Sequence, residues 1–267
     1  MDAIALVDDA MPIADNPPTV PWSPPNNRPN PMRHAPQALG RNLPPEVGAL
    51  ALRCGANAEE PGADHVVLTQ TGSMRTDADR QWAPFRARQT IAIDRVGFVW
   101  RAAIGPFGCI RVTDALEETG PRLTVMALGL IPLARVAADE ALTKGELQRY
   151  LAELPLVPDA ILRNAALDWE VVNAGLLRVS ATDHGVRAHV DLSLGPDGLV
   201  ASAFAPDRPR LEGSRTVERP WTGRFREYRT HLGRRIPFAA EVGWTLDGQE
   251  VGYWRGAMTS WGLGAGR

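Results

Sequence analysis

Apolar side chains recur at every second position through most of this 267-residue chain, and turn residues break the runs apart. A period of two places alternate side chains on the two faces of a strand, so the pattern specifies half-buried sheet for most of the length. Runs at 65–76, 85–94 and 98–104 read this way, the first with Val66, Leu68, Gly72 and Met74 on one side. Two further runs, 109–117 and 122–130, are joined at Thr119-Gly120-Pro121, which is good turn chemistry. Beyond residue 166 the alternation resumes at 167–172, 176–182, 186–194 and 199–204, with Gly195-Pro196-Asp197-Gly198 as a tight turn. An Arg- and Pro-rich connection follows, then 221–232, 236–246 and 251–261, the last two linked by the hairpin pair Asp247-Gly248.

One long helix interrupts the strands. Over 139–154, Leu142, Leu147, Tyr150, Leu151 and Leu154 gather on a stripe, Asp139 and Glu140 favour the positive end, and Pro155 stops it. A helical turn is expected at 158–162, and an earlier helix capped by Asn42 carries Val47, Leu50, Ala51 and Cys54. Strands do not alternate with helices, which disfavours a parallel α/β sheet. The expected fold is α+β: a large curved antiparallel sheet, or half-barrel, with a central helical insertion packed on its concave face. That domain spans 41–267. Ahead of it, residues 1–40 hold nine of the 23 prolines and read as an extended, disordered tail with Trp22 as a docking point.

Composition removes several classes of function. With 44% hydrophobic residues the chain can bury a sizeable core. A net charge of −2 argues against a global nucleic-acid binder. Two cysteines make neither a disulfide framework nor a four-ligand metal site. No run approaches the 18 apolar residues of a membrane span, and the first thirty residues lack a secretory signal, so a cytoplasmic location is expected. Arginine outnumbers lysine 28 to one, the single lysine being Lys144, so each arginine carries less information than usual. No G-x-S-x-G, H-E-x-x-H, P-loop or C-x-x-C is present, and Gly262–Gly266 has no following helix to receive a pyrophosphate. No cofactor or metal is expected.

Several phrases stand in a suggestive order: Trp82-Ala-Pro-Phe-Arg-Ala, Gly97-Phe-Val-Trp100, Arg149-Tyr-Leu-Ala-Glu153, Pro220-Trp-Thr-Gly-Arg-Phe225 and Tyr253-Trp-Arg-Gly256. Over 43–262 the sequence resembles a bacterial family of unknown function. That family is similar in fold to the lipoprotein carriers, in which a twisted antiparallel half-barrel wraps helices and encloses an apolar cavity. The resemblance implies a hydrophobic-ligand site; many relatives carry membrane helices ahead of the domain.

Candidate polar residues follow from spacing. Arg149 and Glu153 lie four apart on one helical face, with Tyr150 beside them. Asp114 shares a strand face with Ile110 and Val112, and Glu241 has the small companions Ala239 and Gly243. Arg149, Arg224 and Arg255 are candidate partners for such carboxylates. The strand placing Val190 inward turns His189 and Asp191 to solvent, near Asp183 and His184. Trp221, Phe225, Tyr228, Trp244, Tyr253, Trp254 and Trp261 crowd the last strands, as core or as cavity wall. Residues 208–235 carry nine arginines against three acids, a solvated face or an anion-attracting patch.

The expected activity is binding of a small hydrophobic molecule or lipid between sheet and helix. In that reading Arg149, Glu241, Arg255, Trp221, Tyr228, Trp244 and Trp254 contact the ligand. The alternative is a cofactor-independent isomerase, lyase or hydrolase, with Glu153 or Asp114 as acid or base and Tyr150 polarising an oxygen. A third reading makes the tail a recruiting segment.

Overall fold

Positive φ values at Asp247 (49°) and Gly248 (76°) close the hairpin expected there. Both central residues of a type I′ turn need that conformation. The pairs His184-Gly185 and Leu232-Gly233 repeat it. The computed structural model describes residues 43–59, 62–77, 79–105, 107–129 and 131–265. The expected tail, Trp22 and the Asn42 cap lie outside the described residues.

Helix α1 (Pro45–Arg53) comes first, with prolines at its start and Val47, Leu50 and Ala51 buried. Six strands follow: β1 (Ala63–Met74), β2 (Ala83–Ala92), β3 (Phe98–Ile104), β4 (Ile110–Glu117), β5 (Gly120–Ala127) and β6 (Ile131–Arg135). The chain then turns helical, through α2 (Glu140–Ala152), a 3₁₀ turn (Leu154–Leu156) and α3 (Asp159–Arg163). Seven strands complete it: β7 (Asp168–Asn173), β8 (Leu176–Asp183), β9 (Val186–Leu194), β10 (Val200–Glu212), β11 (Arg215–His231), β12 (Arg234–Leu246) and β13 (Gln249–Ala265).

All thirteen strands form one antiparallel half-barrel, ordered β6-β5-β4-β3-β2-β1-β13-β12-β11-β10-β9-β8-β7. Each wing is a meander, and the two are sewn together where β1 pairs with β13, from Ala63↔Ala265 to Met74↔Trp254. Gly72 faces Gly256 across this seam. A Cβ on Gly72 would lie 2.7 Å from Gly256 Cα and closer still to the Arg255 carbonyl, so only glycine fits. The bare backbone leaves room for the Phe85 and Trp254 rings, which stack at 5.5 Å.

Helix α2 is capped by Asp139, whose carboxylate accepts from Leu142 N at 2.7 Å. It packs on β8, β9 and β10 of one wing and on β4 and β5 of the other. The expected stripe of leucines is buried, but so are Thr143, Glu146 and Gln148. The helix is enclosed on nearly every side rather than on one face.

The expected connection over 205–220 is instead strand: β10 continues to Glu212 and β11 begins at Arg215. Prolines fit because the ladder is bulged there. Ala205 pairs with Trp221 and Arg208 with Arg219, so Pro206 and Asp207 together oppose Pro220. Edge strand β6 also falls outside the expected runs. Among the described residues no helix is long and apolar enough to cross a membrane.

Candidate functional site

Position and charge combine on α2. Glu146, Arg149 and Glu153 stand three and then four residues apart, on one helical face. Arg149 Nε donates to Glu153 Oε1 at 3.0 Å, and Nη1 donates to Asp114 Oδ2 of β4. The guanidinium also lies 4.7 Å from the Phe98 ring centre and 5.2 Å from that of Trp100. Trp100 and Asp114 are paired across β3 and β4, so the aromatic and acidic partners share one sheet face. Gln89 of β2 donates to the other oxygen of Glu153. Trp100 Nε1 donates to Gln70 Oε1 of β1 at 3.1 Å. A polar band thus crosses four strands beside the helix.

Burial shapes the electrostatics of this band. Desolvation works against the charge on Arg149, yet Glu153, Asp114 and Glu146 outweigh it and hold the guanidinium protonated beyond its ordinary range. Glu146 is fully buried with neither oxygen hydrogen-bonded. Burial first, and then the charge of Asp114, push it up to about 8, against the pull of Arg208 and Arg149. Burial thus favours its neutral form.

Beside the band lies a cavity of about 110 Å³. Gln70, Asp114, Arg149, Glu153 and Arg208 form its polar end. Aromatic and aliphatic groups line the rest, including Trp100, Trp221, Phe225, Phe238, Trp254 and Met258. Two irregularities bring residues here that strict alternation would send outward. The β10 bulge turns Arg208 inward, its guanidinium 4.8 Å from the Trp221 ring centre. In β13 the register slips between Val242↔Trp254 and Gly243↔Gly252, which leaves Tyr253 as an extra residue. Tyr253 and Trp254 consequently both line the cavity. Trp221 Nε1 donates to the Tyr253 hydroxyl at 3.0 Å.

The model of a family of unknown function, DUF6544, matches residues 34–256. The chain belongs to that family. Membership agrees with the resemblance drawn from the ordered phrases. Among curated proteins none matches. Of solved structures, a LolA superfamily protein from Nitrosomonas europaea is similar at 12% identity and TM-score 0.46, over 83% of this chain and 94% of that one. A putative outer membrane lipoprotein-sorting protein domain from Vibrio parahaemolyticus matches at 11% and 0.46, over 83% and 92%. A DUF1329 family protein from Desulfovibrio piger matches at 11% and 0.48, over 83% and 93%.

In this DUF6544 chain the residues proposed from sequence separate into two groups. Asp114, Arg149, Glu153, Trp221 and Trp254 meet around the cavity. Five others do not line it. Tyr150 is buried on another side of α2, where its hydroxyl donates to the Ala92 carbonyl at 3.2 Å and accepts from Asn164 at 2.8 Å. It is committed to structure and polarises nothing in the cavity. Glu241 pairs with Arg226, and its side chain is 41% exposed. Phe238, Ala240 and Val242 line the cavity from β12 at period two, which turns the Glu241 side chain to the other face. Arg255, opposite Glu241, is exposed too, bonded to Ser73 and stacked on Trp82. Trp244 sits behind the wall, stacked on Tyr253 at 5.9 Å. Tyr228 donates to the Val200 carbonyl at 2.7 Å, away from the cavity.

Of the other candidates, Asp191 holds Arg178 at 2.7 Å and His184 bonds Asp183 at 2.8 Å. Among the described residues no group of three His, Cys, Asp or Glu gathers around a point that would hold a metal. The arginines of 208–235 are mostly paired, among them Arg219 with Glu212, Arg224 with Glu250 and Arg234 with Asp159. Arg208 is different. Four polar residues of the band and the cavity wall were not singled out. Gln70 and Gln89 were visible as polar residues on apolar strand faces, and Glu146 as the helical partner of Arg149. Arg208 had no such signal, because the bulge inverts the alternation that would have placed it.

Proposed function

We propose that this chain binds a small, mainly apolar molecule in the cavity, between α2 and the concave face of the half-barrel. The observation that carries the reading is the hollow itself, about 110 Å³ of aromatic-walled space closed at one end by a polar band. An apolar cavity of roughly 150 Å³ admits benzene, so this narrower space of about 110 Å³ suits a slender chain entering from its open side. Each methylene taken from water contributes about 0.8 kcal/mol, which gives a chain of modest length a useful affinity without any reaction. Binding is favoured over proton transfer because both carboxylates on the cavity wall are held by Arg149, Asp114 through Nη1 and Glu153 through Nε.

The test is titration of the protein with 1-octanol, followed by tryptophan fluorescence, since Trp100, Trp221 and Trp254 line the space. A saturable change is expected. Ala152 lies on the cavity wall at 1% exposure, and Ala152→Leu should fill it. That variant is expected to bind at least tenfold more weakly while melting no lower than the parent. No saturable response in the unmodified protein would refute the reading.

A further inference from the structure

Arg208 is 4% exposed, and its Nε and Nη1 donors meet no acceptor. Buried guanidinium groups are almost always paired, because an ionised group away from water carries a large desolvation penalty. The neighbouring carboxylates do not relieve it. Asp114 and Glu153 are engaged by Arg149. Glu146, within electrostatic reach, is pushed toward its neutral form by burial and makes no hydrogen bond to it. Asp207, the next residue along, is taken by Lys144 at 2.6 Å and Gln148 at 2.9 Å of α2. Those two bonds anchor the bulge, and the bulge turns Arg208 to the cavity side. Its charged face rests on Trp221, and the side chain lines the cavity.

We infer that Arg208 is the ligand anchor, and that the molecule bound is a short apolar acid whose carboxylate is received by the Arg208 guanidinium. This deepens the proposed function and rests on it. The planar guanidinium edge matches a carboxylate in a two-bond, charge-assisted fork. The aromatic walls then cover the hydrocarbon part. A cationic ligand is disfavoured, because Arg208 offers only donors and an ammonium head finds no acceptor on it.

The probes are octanoate, 1-octanol and octylamine, titrated against the parent protein, Arg208→Met and Arg208→Lys by calorimetry and fluorescence. The parent is expected to bind octanoate at least tenfold more tightly than 1-octanol, with octylamine weakest. Arg208→Met should lose that preference, and Arg208→Lys should retain part of it. Arg208→Met should also melt higher than the parent when empty, because an unpaired buried charge has been removed; this separates loss of an anchor from loss of fold. Equal affinity of the parent for octanoate and 1-octanol overturns the anchor and leaves the cavity reading standing. Failure of the parent to bind any of the three overturns both.

Discussion

Arg149 is the residue on which the polar band depends. Its guanidinium touches two carboxylates and two aromatic rings at once, and the Asp114 side chain beneath it is only 7% exposed. Removing one partner of a buried pair leaves the other charge stranded, at about 3–5 kcal/mol. Arg149→Met is therefore expected to cost that much in urea denaturation, and Asp114→Asn in the same chain to recover at least half. Glu146 makes a prediction of opposite sense. Its carboxyl is raised from 4.5 to about 8 by burial and then by Asp114, with Arg208 on β10 and Arg149 on its own helix pulling the other way. Between those two values the folded state keeps a proton that the unfolded chain has released, so stability falls as pH rises through the window. Glu146→Gln should flatten that slope, with its gain over the parent larger at about pH 8.5 than at about pH 5. Spacing alone revealed Asp114, Arg149 and Glu153, since strand parity and the i,i+4 relation act locally. Glu241 failed the same test because two small neighbours were taken for an inner face, when Phe238, Ala240 and Val242 marked the other one.

At the scale of elements, the cap and the bulges matter most. Asp139→Ala removes the acceptor for Leu142 N and should cost about 1 kcal/mol, read as a lower thermal midpoint. Gly72→Ala drives a methyl group into the backbone of β13, which no rotamer change relieves. It should lower stability more than the cap variant, while Gly256→Ala chiefly displaces the Trp254 ring, the nearest atom to its added Cβ at 2.6 Å. The long helix was legible from Asp139, its leucines and Pro155, and most strands from their alternation. Strands β10 and β11 were legible only in part. Pro206, Pro209 and Pro220 look like a connection in sequence, whereas in the sheet two of them sit at a bulge that tolerates a missing N–H. A bulge depends on pairing with a distant strand, so local reading has no access to it, and the same is true of the inward turn of Arg208 and Tyr253.

For the molecule as a whole, the outer strands of the half-barrel, β6 and β7, come from the middle of the chain and are linked by the helical segment. The first and last described strands in chain order, β1 and β13, lie at its centre. Deleting 249–265 should therefore expose two long unpaired edges, on β1 and β12, and give aggregation in place of a single cooperative unfolding transition. The cavity draws on β1, β3, β4, α2 and β10 to β13, so it too requires the complete sheet. During synthesis on the ribosome, β1 and its meander emerge early but must wait for residues 249–265 before that flank is covered. A nascent chain thus carries an open, adhesive margin until residues 249–265 are delivered, and the cavity wall is complete only once translation has passed that point.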